Sequence, residues 1–155
     1  MYSLWLKPSV ESYRRYQSII SNLATDYKTP DFEPHITILS EIDYLQDGDL
    51  YQIGVLAALT KVFDVRLTSL SIENTYFKSL YAGIQNNKEI KNLNTELKSL
   101  FPQNAYSFQP HFSLLYSNVP KGKKLKIVQE QRKVIPKLIG LDHSDSAILS
   151  TFQRS

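Results

Sequence analysis

Large apolar residues fall along the chain in two alternating periods. Tyr2 to Lys7 alternates bulky and polar side chains, which predicts a strand. After Pro8, Ser9 offers an N-cap. Val10, Tyr13, Tyr16, Ile19, Ile20, Leu23 and Tyr27 then recur at helical spacing. Thr29-Pro30-Asp31 breaks that period, and His35 to Leu39 is a short β-rich run behind Pro34. Asp47-Gly48-Asp49 reads as a turn and Leu50 to Leu59 as a helix. Phe63 to Ile72 alternates and predicts one strand, paired with a second over about Tyr76 to Ile84. Asn86-Asn87 can cap a helix from Lys88 to Leu100, with Ile90, Leu93, Leu97 and Leu100 on one face. Phe112 to Tyr116 predicts a further short strand, Lys121 to Ile135 a helix ended by Pro136, and Ala147 to Phe152 a last strand. The order β-α-β-α-β therefore occurs twice, with no linker. The expectation is a single domain over 1–155, α+β in class, made of two similar lobes.

Two phrases occupy matching places in this double pattern. Pro34-His-Ile-Thr-Ile-Leu-Ser40 and Pro110-His-Phe-Ser-Leu-Leu-Tyr116 each follow a helix and a proline-containing turn. On a strand, residues two apart share a face. His35 and Thr37 therefore share one face, and His111 and Ser113 another, while Ile36, Ile38, Phe112 and Leu114 form apolar backings. A single His-apolar-Thr on a strand is an ordinary sheet position. Two copies among only three histidines in the chain are harder to assign to chance. If a pseudo-twofold relates the lobes, two imidazoles and two hydroxyls meet across one cleft. A neutral imidazole can take a proton from water and a protonated one can give a proton to a leaving oxygen. Hydroxyls can donate to oxygens that gain negative charge. A phosphodiester uses all of these parts and calls for no metal.

Composition narrows the classes. The chain has 155 residues, 42% apolar and 21% charged, as a soluble globular protein does. It has no cysteine, which excludes disulfides, thiolate metal sites and a cysteine nucleophile. The apolar start is too short for a signal-peptide core, and no run approaches the roughly 20 residues of a membrane span, so a cytoplasmic protein is expected. The net charge of +3 favours anionic ligands without marking a long nucleic-acid partner. His143 lies in a polar, turn-like stretch and reads as a solvated loop residue. Lys121 to Lys126 could attract a nucleotide, but its plainer reading is a solvated helix start whose cations oppose the helix dipole.

The two phrases, together with the opening Tyr2-Ser-Leu-Trp-Leu6, resemble the two-histidine phosphoesterase superfamily and, within it, the cyclic phosphodiesterase branch. The resemblance follows most of the chain in order and spacing. It implies a bilobal α+β fold with two antiparallel sheets lining a cleft and helices outside. It implies an enzyme, a phosphoric diester hydrolase acting on ADP-ribose 1″,2″-cyclic phosphate or nucleoside 2′,3′-cyclic phosphates, with no cofactor. Carried over by position, His35 and His111 match the catalytic histidines, and Thr37 and Ser113 the phosphate-binding hydroxyls. Trp5 and Tyr116 match aromatic residues at the cleft, and Phe77 another; by sequence alone Trp5 is a core strand residue. The lack of cysteine departs from relatives that carry them near the site. A monomer handling a small cyclic-phosphate nucleotide is the expectation. RNA 2′,3′-cyclic ends, cyclic oligonucleotide signals and a non-catalytic nucleotide-binding module remain alternatives. The division of acid and base between His35 and His111 stays open.

Overall fold

The computed structural model describes residues 1–132 and 135, and the strand backbone of 145–149 and 153–154. Its elements run β1 (Tyr2–Pro8), α1 (Val10–Tyr27), β2 (Ile36–Ile42), α2 (Asp47–Leu59), β3 (Phe63–Val65), β4 (Leu67–Ser71), β5 (Leu80–Ile84), α3 (Lys88–Leu100), β6 (His111–Leu115), α4 (Lys121–Gln131), β7 (Asp145–Leu149) and β8 (Gln153–Arg154). The class is α+β. His143 and Pro136 lie outside the described residues.

Local chemistry accounts for the helix boundaries. Ser9 accepts the Ser12 amide at the start of α1, and Lys28 closes that helix in the left-handed conformation at φ 52°. The Asn87 side chain accepts the Ile90 amide at 2.9 Å and starts α3. The second helix begins earlier than the expected Leu50, because Asp49 turns back to accept the Gln46 amide at 2.9 Å.

All the strands among the described residues join one antiparallel sheet in the order β3-β7-β1-β2-β6-β5-β4, with β8 also on β1. The expected pair of separate sheets is thus one hydrogen-bonded sheet, whose halves meet at a single β2–β6 register pair, Ile36 with Phe112. The expected strand Phe63–Ile72 is two strands. They separate at Arg66 and lie at opposite ends of the strand order. Its alternation was real, but β3 pairs with β7 and β4 with β5. Consecutive Cα atoms are about 3.8 Å apart, so one intervening residue forces the two outer strands to lie close together. The sheet must curl round on itself. The expected start of β5 at Tyr76 also moves, to Leu80, and residues 72–79 form a loop.

The two halves repeat one another in register. On β1–β2, Leu4 faces Leu39 and Trp5 faces Thr37, so Ile38 is the extra residue of a bulge. On β5–β6, Leu80 faces Leu115 and Tyr81 faces Ser113, so Leu114 is extra. Leu6 then faces Ile36, as Ala82 faces Phe112. The long helices pack crosswise. Tyr16 of α1 lies against Phe112 of β6, ring centroids 4.7 Å apart, and Asn94 of α3 donates to the Ile38 carbonyl of β2 at 2.7 Å. Ile36, Ile38, Phe112 and Leu114 are all buried beneath them. Each such side chain contributes roughly 1.5–3 kcal/mol of burial. The helices thereby cover the face of the sheet that carries these four residues.

Candidate active site

His35 ends the segment that leads into β2, and His111 opens β6. Each ring is held in the same way. His35 Nδ1–H donates to the Glu33 carbonyl at 2.6 Å, and His111 Nδ1–H donates to the Gln109 carbonyl at 2.8 Å. A carbonyl can only accept, so the proton of each neutral imidazole sits on Nδ1. Nε2 is then the lone-pair nitrogen in both. That is the tautomer in which Nε2 can receive a proton from a substrate or from water.

The surroundings of the two rings differ. His35 is 6% exposed and stacks on Trp5, centroids 3.7 Å apart and planes 14° from parallel. The Tyr116 hydroxyl approaches His35 Nε2 at 3.4 Å, and Phe32 meets the ring edge-on. Burial pushes His35 down to about 4, helped by the charges of His111 and Lys7 and opposed by its bond to Glu33. His111 is half-buried, with Tyr81 edge-on at 5.6 Å. It is also lowered, first by burial and then by Lys78, against the pull of the Gln109 carbonyl and Glu73. The β2–β6 register, with Ile36 opposite Phe112, sets the two histidines at the starts of adjoining strands.

The hydroxyls differ as well. Thr37 is partly exposed, across from Trp5. Ser113 is buried and donates to the Phe77 carbonyl at 2.7 Å. Tyr116 lies flat on Phe32 at 3.7 Å and receives the edge of Phe77 at 5.2 Å. Its hydroxyl is raised well above the ordinary tyrosine range, chiefly by burial, and so stays protonated. Phe77, 62% exposed, stands on the 72–79 loop beside Tyr76. The structure therefore gathers His35, Trp5 and Tyr116 directly. Ser113 and Phe77 join them through the Phe77 carbonyl and ring, and Thr37 and His111 through strand register.

Several residues around the site went unread in the sequence. Glu33 accepts Lys7 at 2.8 Å and the Tyr13 hydroxyl at 3.2 Å, and its carboxyl is held low chiefly by the Lys7 hydrogen bond. Glu73 does the same for Lys78 and for the Tyr81 hydroxyl at 3.1 Å. Phe32 and Tyr76 complete the aromatic cluster. One signal was available for Tyr81: Ser79-Leu80-Tyr81 echoes Ser3-Leu4-Trp5, and Tyr81 precedes His111 by as many residues as Trp5 precedes His35. Among the described residues, no group of three or more His, Asp or Glu converges as metal ligands, and no helix is long and apolar enough to cross a membrane.

A family model described as cyclic phosphodiesterase-like protein matches residues 1–147. A relative named cyclic phosphodiesterase, from Arabidopsis thaliana, is 24% identical over 132 residues, covering 84% of this chain and 72% of its own length.

Proposed function

We propose that this chain, which belongs to the cyclic phosphodiesterase-like family of the 2H (two-histidine) phosphoesterase superfamily, hydrolyses the cyclic phosphate of a small nucleotide by paired acid–base catalysis. The substrate class is a 2′,3′-cyclic nucleotide or ADP-ribose 1″,2″-cyclic phosphate. The observation that carries this reading is the matched pair of imidazoles. Each has its Nδ1 proton tied to the carbonyl two residues earlier, so each carries its lone pair on Nε2, that of His35 being 3.4 Å from the Tyr116 hydroxyl, which a substrate would displace.

In this mechanism, water attacks phosphorus in line with one sugar oxygen of the ring. The neutral imidazole takes the water proton on Nε2 as the new P–O bond forms. The protonated imidazole gives its Nε2 proton to the departing sugar oxygen as the old P–O bond breaks. The product is a phosphomonoester, and the histidines have exchanged protonation states, which solvent resets. Thr37 and Ser113 donate to the nonbridging oxygens, where charge accumulates. Ser113 must first turn its hydroxyl from the Phe77 carbonyl to the substrate. The aromatic side chains of Trp5, Tyr116, Phe77 and Phe32 receive the base, and Trp5 also holds the His35 ring by stacking on it.

The two strand pairs with their matching bulges read as two lobes hinged at the β2–β6 rung, with the cleft between them. The chain works as a monomer that needs no metal. A panel of 2′,3′-cyclic nucleotides, ADP-ribose cyclic phosphate, cyclic dinucleotides and an RNA with a cyclic end, assayed with EDTA present, tests this. Turnover of the small cyclic phosphates in EDTA is the expected result. Activity lost to chelation and restored by a divalent ion overturns the mechanism, and turnover of the RNA or dinucleotide alone overturns the substrate class.

A further inference from the structure

The pseudo-symmetry of the two halves fails at one place, and the failure is informative. Two residues before His35 stands Glu33, whose carboxylate holds Lys7 of β1. Two residues before His111 stands the neutral Gln109, and the position of β5 opposite His111, equivalent to Lys7, is Gly83. A Cβ at Gly83 would lie 2.5 Å from Thr68 Oγ1, so a lysine has no room there. Yet a cation is present. Lys78, from the 72–79 loop, reaches Gln109 Oε1 at 3.4 Å and lies 4.8 Å above the Tyr81 ring, whose edge meets His111. The loop also brings its own carboxylate, Glu73, whose Oε1 accepts both Lys78 Nζ and the Tyr81 hydroxyl. The same residue is tied at its backbone: the buried Lys124 of α4 donates to the Glu73 carbonyl at 2.9 Å, and the Glu73 amide donates to the Lys78 carbonyl at 2.9 Å. A lysine–carboxylate–tyrosine cluster thus flanks each imidazole, assembled from different sequence positions in each half.

We propose that Glu73 is a positioning residue for His111: it gathers Lys78 and Tyr81 onto one carboxylate oxygen and so holds a cation and a ring edge against the imidazole. This rests on the reading of His111 as a proton-transfer residue. His111 meets the Tyr81 ring of β5 edge-on and donates to the Gln109 carbonyl, Lys78 and Glu73 of the loop bear on it through their charges, and its own charge bears on His35 of the other half. Lys78 and Glu73 act on its protonation in opposite senses, Lys78 against the charged form and Glu73 for it. Tuning by an opposed pair has a signature that a purely structural role lacks: loss of either partner moves the titration, in opposite directions.

The test follows the histidine ring resonances of the unliganded protein by NMR across pH. It uses Glu73→Gln, Lys78→Met and the double variant, with thermal unfolding as a control for folding. Gln at 73 keeps an oxygen for the Tyr81 hydroxyl while removing the charge. Glu73→Gln should lower the His111 titration by about 0.5–1 pH unit, Lys78→Met should raise it by a similar amount, and the double variant should return close to the parent. The limb of the kcat/KM profile that His111 sets, with 2′,3′-cyclic AMP as the probe, should move with it. Shifts of the two single variants in the same direction, or an unmoved His111, overturn the proposal. Opposite shifts in a protein that hydrolyses none of the cyclic phosphates would instead overturn the proposed function and leave the positioning of His111 standing.

Discussion

The two halves of the sheet carry the same phrase in different environments. The His35 half is closed: Trp5 covers one face of the ring, Tyr116 reaches Nε2, and the ring is almost fully buried. The His111 half is more open, with a tyrosine edge in place of a tryptophan face and a charged loop beside it. The hydroxyls reverse this order, Thr37 being partly exposed and Ser113 buried and already donating to Phe77. Matching register around each phrase thus supports two sites of unequal polarity. Proton transfer between opposed groups benefits from such inequality, because the pair needs one ring neutral while the other is charged.

The comparison breaks first at the histidines. His35→Ala and His111→Ala should each cost about 10²–10⁴-fold in kcat, and the double variant should be little worse in kcat than either single; His35→Ala should also lower the melting temperature, because its ring is buried against Trp5. Steady-state kinetics on a 2′,3′-cyclic nucleotide checks this. A near-native kcat in one single variant would leave only one half of the pair in the chemistry.

The hydroxyls come next. Thr37→Ala and Ser113→Ala should each lower kcat by roughly 10–10³-fold. They should differ in a second respect: only Ser113→Ala frees the Phe77 carbonyl, so only it should speed proteolysis or hydrogen exchange in the 72–79 loop. Equal loop protection in both variants would mean that the Ser113–Phe77 bond does not hold the loop.

Trp5 sharpens the contrast between the closed and open halves. Trp5→Ala should weaken nucleotide binding by roughly 5–100-fold, the range that aromatic stacking implies. It also uncovers His35, so the limb governed by that ring should move to higher pH. Tyr81→Phe, which keeps its edge on His111, should leave the His35 limb in place. A Trp5→Ala enzyme with an unchanged pH profile would show that the stacked indole does not desolvate the imidazole.

The smallest effect is on pH itself. Both rings are held below the ordinary histidine value of about 6.5, His35 at about 4. Below the lower value both imidazoles are charged and no base remains. Above the higher value both are neutral and no acid remains. The free-enzyme profile, kcat/KM, should therefore peak on the acid side of pH 6.5. A bound phosphate anion favours the charged imidazole, so the kcat profile should lie at higher pH than the kcat/KM profile. Coincident profiles would mean that the phosphate does not sit against either ring.

What could be read along the chain was local. Strand alternation put His35 beside Thr37 and His111 beside Ser113 on one face, because successive side chains on a strand point to opposite sides whatever the strand pairs with. Helical spacing and the caps at Ser9 and Asn87 located α1 and α3 for the same reason. The resemblance named Trp5, Tyr116 and Phe77 as cleft residues; the folded chain stacks Trp5 on His35, sets the Tyr116 hydroxyl near its Nε2 and packs Phe77 on Tyr116. The remainder depended on pairing, which a strand's own pattern does not encode. Phe63 to Ile72 reads as one strand, yet the partners β7 and β5 divide it between the two ends of the strand order. The bulges at Ile38 and Leu114 set Trp5 across from Thr37 and Tyr81 across from Ser113, and only the register of two strands defines a bulge. Lys78 and Glu73 lie in a loop with no periodicity, whose backbone carbonyls are bonded by Lys124 of a later helix and by Ser113 and Ser117 from later in the chain. The proposed chemistry was legible in short phrases; the inequality of the two histidines came from what tertiary packing laid against each ring.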